Sequence, residues 1–204
     1  MKQLPVCVSM LLLAVIFNSC AKSKSSPQSG SPEMPFQTAV NDKSLINVKE
    51  TYSQNSGGSE TGYKLHFLAN GTVSQLGTDM ATVGSYSVSF WNFNTEELLA
   101  TVTVNVTDTS HFFYTTVANP IAVTAGTEYV LSLHIPDVSA DPHWLYTNTS
   151  GANLFPFTEG QVVAEEILDL INLPAGNSTP VFPSTTYTVD QAYLFDCDLV
   201  YTPD

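Results

Sequence analysis

Arginine is absent from the 204-residue chain, and its positive charge rests on six lysines. Nineteen acidic residues oppose them, for a formal net charge of −13. Nucleic-acid phosphates are held by clustered lysine and arginine, so this balance argues against DNA or RNA as a partner. It argues equally against docking on anionic lipid through a basic face. Cysteine is scarce, at three, and no apolar run reaches the ~20 residues a membrane-spanning helix needs. The sequence also lacks a Gly-x-Ser-x-Gly elbow, an EF-hand loop, histidines or cysteines at zinc-ligand spacing, and any internal repeat. What it has is hydrophobicity, at 43% of residues, enough to build a core and to exclude global disorder.

The first twenty residues have a grammar of their own. Lys2 precedes an apolar stretch from Leu4 to Phe17, followed by Asn18-Ser19-Cys20. A positive start, a short apolar middle and a small residue before a cut describe a secretory signal, predicted over residues 1–19. A buried N-terminal strand or helix is the competing reading. Against it stands "AKSKSSPQSGSPEMP", which lacks apolar periodicity and reads as a flexible linker over residues 20–35. The end of the signal resembles the lipobox of bacterial lipoproteins, with Ser19 as the small residue and Phe17 where that motif usually has leucine. The resemblance implies cleavage before Cys20, a diacylglycerol on its sulfur, and acylation of its amine by a chain such as palmitate. Several acyl chains on one residue give an anchor that one chain cannot, at ~0.8 kcal/mol per buried CH₂.

Cysteine arithmetic agrees with this. Cys7 departs with the signal and Cys20 is capped, so Cys197 has no partner and the domain folds without disulfides. Loss of Lys2 leaves five lysines against 19 acids, a side-chain charge of −14.

From residue 60 onward the pattern is strand after strand. "GYKLHFLA" sets Tyr63, Leu65 and Phe67 against Lys64 and His66. "GSYSVSFWNF" sets Tyr86, Val88 and Phe90 against Ser85, Ser87, Ser89 and Trp91. "TEYVLSLHIP" sets Tyr129, Leu131, Leu133 and Ile135 against Val130, Ser132 and His134. Such alternation, rich in β-branched and aromatic residues and punctuated by Gly, Asn, Asp and Pro, predicts an all-β antiparallel sandwich, jelly-roll or Ig-like, over residues 36–204. One segment breaks the rhythm. In "GQVVAEEILDLINL", residues 160–173, Val163, Ile167, Leu170 and Ile171 fall at helical spacing. A short helix is predicted there, with an irregular strand as the alternative.

Three blocks carry a resemblance to a bacterial domain of unknown function, DUF4082. They are "GSYSVSFWN" with "LLA" (84–92 and 98–100), "NPIAVTAGTEY" (119–129), and the closing "QAYLFDCDLVYTP" (191–203), with Asp196 at the family's aspartate. Residues 108–117 and 137–180 depart from the family's pattern. The resemblance implies a β-sandwich of secreted or surface proteins, in some cases attached to carbohydrate-active modules. The family has no established catalytic residues to carry over.

Candidate chemistry is thin. Glu96 and Glu97 are adjacent and point apart on a strand or turn, so they make no acid–base pair. Cys197 lies on an apolar strand face and reads as a core thiol. His66, His111, His134 and His143 read as surface histidines, leaving no metal cluster. Asp137, Asp141 and Asn148 offer oxygens that could hold a structural Ca²⁺, although ordinary turn chemistry explains them as well. "DPHWLYTN" is the most suggestive stretch. His143, Trp144 and Tyr146 sit in a polar, loop-like setting, where aromatics either stack on sugar rings or fold onto the core.

These features together predict a non-enzymatic, cofactor-free module anchored in a bacterial envelope by lipid, in the outer membrane if the host is Gram-negative. The partner is a glycan or surface polymer, or in a second reading another envelope protein. Residues after Cys20 carry no acidic cluster of the kind that resembles a surface-export signal, which favours a periplasmic face without deciding it. Cys20→Ala is expected to abolish lipid labelling and release the protein from membranes; a variant that stays labelled and membrane-bound would refute the lipobox reading.

Overall fold

The computed structural model describes residues 30–42, 46, 48–52, 57–137, 142–147, 154–174, 176–187, 192–193 and 196–204. Among them the chain forms one helix, α1 (Pro35–Asn41), and thirteen strands. These are β1 (Val48–Tyr52), β2 (Gly58–Phe67), β3 (Gly71–Thr78), β4 (Gly84–Asn92), β5 (Leu98–Val106), β6 (Phe113–Val123) and β7 (Glu128–Ile135). After them come β8 (His143–Thr147), β9 (Phe157–Glu159), β10 (Val162–Leu173), β11 (Thr185–Tyr187), β12 (Ala192–Tyr193) and β13 (Cys197–Pro203). The helix is too short and polar to cross a membrane.

All pairings are antiparallel. One sheet runs β11-β10-β2-β7-β4-β5 with β9 on β10; a second runs β13-β3-β6; a third, small one runs β1-β8-β12. The inward sets expected of β2, β4 and β7 are buried in one core, where they meet Val73 and Leu76 of β3, Val117 and Val123 of β6, and Leu199 and Tyr201 of β13. Phe90 stacks on Tyr129 with ring centroids 5.2 Å apart, and Phe67 meets Tyr201 at 4.5 Å. This is the predicted all-β sandwich.

Residues 160–173 are not a helix; they are a turn at 160–161 followed by β10. Its register with β2 shifts between Ala164 and Glu166 and again between Leu170 and Leu173, where Asn172 takes a left-handed φ of 62°. A bulge adds one residue to one strand and flips the phase of everything after it. Val162 and Ala164 face the core before the bulge and Ile167 after it, while Leu168 is covered on the opposite face. Period two interrupted by a bulge, with both faces covered, imitates a spacing of three to four.

The folded part also begins earlier than the linker boundary suggests. Gly30 N–H donates to Pro203 C=O at 2.8 Å, and Glu33 exchanges backbone hydrogen bonds with Tyr201 at 2.7 and 3.0 Å. Residues 30–33 thereby line the outer edge of β13, an edge that would otherwise invite pairing with another chain. Pro35 suits the start of α1, where its missing N–H costs nothing. Phe36 is fully buried, stacked on Tyr63 at 4.2 Å and edge-on to Phe157 at 5.7 Å. Phe36→Ala is expected to cost about 3–5 kcal/mol, read as a lowered urea midpoint; a loss under about 1 kcal/mol would mean that α1 is not integral to the core.

Candidate functional site

The run Asp196-Cys197-Asp198 leads into the closing strand β13. Cys197 points into the core, so its two flanking carboxylates face the other side, and that side is buried as well. Asp198 accepts hydrogen bonds from Phe36 N–H (3.2 Å), Gln37 N–H (3.0 Å), Leu199 N–H (2.8 Å) and Tyr114 O–H (2.8 Å). It is a remote N-terminal cap, satisfying amide groups that the short helix cannot satisfy itself. Burial raises its pKa to about 6, against the pull of these donors. Asp196 is bonded to His143 Nδ1 and accepts from Trp144 N–H at 3.3 Å. Burial raises its pKa too, with His143 opposing.

A third carboxylate, Asp79, follows β3. Its N–H donates to the Asp196 carbonyl at 3.1 Å. Its Oδ2 accepts from Lys49 Nζ at 2.9 Å and from Tyr146 O–H at 2.8 Å, whereas its buried Oδ1 has no hydrogen-bond partner among the described residues. The Lys49 ammonium lies 4.0 Å from the Trp144 ring centroid and 5.5 Å from that of Tyr146, so carboxylate and π faces hold it together. Beside this pair is a cavity of about 190 Å³, walled by Gln37, Val40 and Asn41 of α1, by Lys49 and Asp79, and by Ser110, His111 and Phe112. Asp108 steadies the last wall, accepting from Ser110 N–H at 2.9 Å and lying 3.2 Å from His111 Nδ1.

Three of the residues singled out in the sequence come together here, in a different role. His143, Trp144 and Tyr146 are on strand β8, not in a loop. His143 and Tyr146 are buried and Trp144 is half-buried against the core, its indole N–H buried without an acceptor. They back Asp79, Asp196 and Lys49 from behind and offer no aromatic platform to water. Sequence inspection passed over Asp79, Lys49 and Gln37; the Asp-Cys-Asp run, two acids flanking a core cysteine, was the signal that could have found this polar cluster.

Of the remaining candidates, Asp137 is half-buried just after β7, while Cys20, Asp141 and Asn148 lie outside the described residues. Among the described residues, no three His, Cys, Asp or Glu side chains are arranged to hold a metal. Glu96 and Glu97 are exposed between β4 and β5, Glu96 at a φ of 56°. Cys197 is the expected core thiol, its pKa pushed well up by burial and by the neighbouring aspartates. Trp91 packs edge-on to Phe182, under the chain that follows β10.

His134 is not the surface histidine that alternation predicts. It is 1% exposed on the outer face of β7, directly across from Glu60 of β2. Its Nδ1 lies 2.9 Å from Glu60 Oε2 and its Nε2 2.7 Å from the Asn177 carbonyl, which can only accept. Ser132 donates to Glu60 Oε1, Trp91 donates its indole N–H to Ser132 at 2.9 Å, and Val181 N–H reaches Glu60 Oε2 at 3.2 Å. Serine, histidine and glutamate are therefore neighbours in the wrong order for nucleophilic catalysis. The serine is bonded to the acid, and both histidine nitrogens are engaged elsewhere. The set acts as a latch holding the chain after β10 onto the sheet.

Compared with known families and curated proteins, the chain matches no family model and no curated protein. The DUF4082 resemblance thus rests on its three sequence blocks.

Several buried groups favour mild acid. Asp198, with a folded pKa near 6 against 3.8 unfolded, binds its proton more tightly in the native state, so its contribution to stability falls as pH rises from about 4 to 6. Asp196 and Asp169 shift in the same direction. His134 is raised, the hydrogen bonds to Glu60 and Asn177 outweighing its burial, and its stabilisation is lost above the ordinary histidine range. Glu165 is lowered by Lys64 and His66 despite desolvation, and opposes these groups only below the ordinary glutamate range. Thermal denaturation is expected to give a higher Tm at pH 5 than at pH 7.5, with a smaller difference in Asp198→Asn; a Tm that rises with pH across this interval would contradict the assignment.

Proposed function

We propose that the chain is a lipid-anchored module of the bacterial cell envelope that binds a glycan or other surface polymer and catalyses no reaction. The cavity between α1 and residues 110–112 carries this reading. It is lined by Asp79 and Lys49 together with amide, hydroxyl and aromatic side chains, the equipment that hydroxyl-rich ligands require. His143, Trp144 and Tyr146 enter the proposal as the residues that position Asp79 and Lys49. The serine–histidine–glutamate set supports a non-catalytic role, because its serine is fully buried and bonded to the glutamate while both histidine nitrogens are engaged elsewhere. The membrane anchor rests on Cys20 and the preceding signal. The blocks resembling DUF4082 fall on β4 and β5, on the β6–β7 turn and on β12 and β13, and account for the sandwich rather than for the ligand.

A second reading, adhesion through protein–protein contact, has its own observation. Tyr187 on edge strand β11 and Ile171 on adjoining β10 are 43% and 46% exposed. Titration calorimetry against a panel of envelope polysaccharides separates the two. Binding that Asp79→Ala weakens at least tenfold is the expected result. Heat from no polysaccharide would reject the glycan reading and leave adhesion.

A further inference from the structure

Between β10 and β11 the chain crosses the outer face of the large sheet, the face turned away from the core. Among the described residues, three hydrogen bonds tie residues 176–184 to that sheet. Gly176 N–H donates to Pro136 C=O at 3.4 Å, Val181 N–H donates to Glu60 Oε2 at 3.2 Å, and the Asn177 carbonyl accepts from His134 Nε2 at 2.7 Å. Two of the three end on the buried His134–Glu60 pair. Beneath this strap lie Trp91, Val130 and Leu168, an apolar patch that Phe182 closes, edge-on to Trp91 at 5.8 Å.

The pair's hydrogens can be assigned from its partners. A carbonyl only accepts, so His134 Nε2 carries a hydrogen. Glu60 accepts from Ser132 at Oε1 and from Val181 at Oε2, which suits a carboxylate, so the hydrogen between Glu60 and Nδ1 sits on the ring. Both ring nitrogens then donate, and His134 is an imidazolium. Loss of one proton leaves a neutral ring with a single N–H. The charged Glu60 holds that hydrogen at Nδ1 more strongly than a carbonyl can, and the Nε2 lone pair is left facing the Asn177 oxygen. The bond that breaks is the one to the strap.

The surroundings leave the charge of this pair to its two members. Residues 176–184 carry no charged side chain. On the same face β4 brings Ser87, opposite His134, with Ser89 and Trp91, and β10 brings Leu168 and Leu170, the latter opposite Glu60. Asp169 turns to the other face, where it accepts from Thr61. Cys197 lies behind the sheet, its thiol pushed well up by burial and by Asp196, Asp198 and Glu60. Lys64, four residues along β2, is held by Glu128 and Glu165, and half-buried Asp137 follows β7. Desolvation lowers the His134 imidazolium, but the hydrogen bonds to Glu60 and Asn177 and the Glu60 charge outweigh it and raise the group above 6.5. Its proton is therefore bound below that value and leaves as pH climbs through the raised one.

We infer that residues 176–184 form a proton-gated strap, closed over Trp91 while His134 is an imidazolium and lifted from the sheet when that one proton leaves. Hydrogen–deuterium exchange of the full-length chain tests this from about pH 6 to about pH 9, with rates corrected for the intrinsic effect of pH on exchange. Residues 176–184 are expected to lose protection by about tenfold or more over this interval, while β2 and β7 keep theirs. In Trp144→Phe protein, acrylamide quenching of Trp91 fluorescence is expected to rise in parallel. His134→Gln, whose amide donates without titrating, is expected to hold both readings level; the exchange reading itself needs no variant. Strap protection that stays constant with pH would overturn the gate, as would β2 and β7 losing protection together with the strap. A folded His134→Gln protein whose strap opens as the wild type's does would overturn the assignment to His134.

Discussion

The hydrogen bonds to Asp198 are the interaction on which the cavity depends. A helix of seven residues is not stable by itself, since nucleation costs more than so few turns return. Asp198 compensates by holding the first two free amide groups of α1 from the far end of the sequence, 161 and 162 residues away. The same carboxylate takes Tyr114 from β6, so it joins the helix to both outer strands of the β13-β3-β6 sheet at one point. Phe36 is thereby fixed over Tyr63, and the next turn of the helix presents Gln37, Val40 and Asn41 as a cavity wall.

The chain is short of cations, and its buried acids are served by neutral donors instead. Tyr114 and Tyr146 donate their hydroxyls to Asp198 and Asp79, and the Tyr63 hydroxyl accepts from the Asp196 backbone N–H at 3.1 Å. Burial and the nearby carboxylates raise all three phenols above the ordinary tyrosine range, so they stay protonated. The two lysines whose contacts are described are both committed. Lys49 goes to Asp79, and Lys64 to Glu128 and Glu165 at 2.7 and 3.0 Å. A buried charge is tolerable when its lone pairs are filled; here phenols and backbone amides fill most of them, and Asp79 Oδ1 is the exception.

Strand faces were legible in the sequence wherever alternation ran uninterrupted. Tyr63, Leu65 and Phe67, or Tyr86, Val88 and Phe90, could be assigned to the core because one period-two stripe has one destination. β10 was not legible, because a bulge is a change of register with a partner strand and leaves no mark on one strand alone. The outer faces of β2 and β7 misled for a related reason. Alternation says that His134 leaves the core, but not that the chain after β10 returns to cover it opposite Glu60. The site was legible only at its back. His143, Trp144 and Tyr146 drew notice as an aromatic cluster, while Asp79 and Lys49, 30 positions apart, share no local pattern and meet only because β1 and the end of β3 place them together.

Residues 30–33 run alongside β13 from its Pro203 end, and the cavity lies beyond its Cys197 end, beside Asp79. Seven residues of strand separate the two ends, about 23 Å at ~3.3 Å per residue. The chain therefore enters the sandwich at one end of β13, and the cavity lies at the other. With Cys20 as the proposed anchor, ten residues before Gly30 and so within ~36 Å of it, the tether would join the sandwich at the end of β13 opposite the cavity.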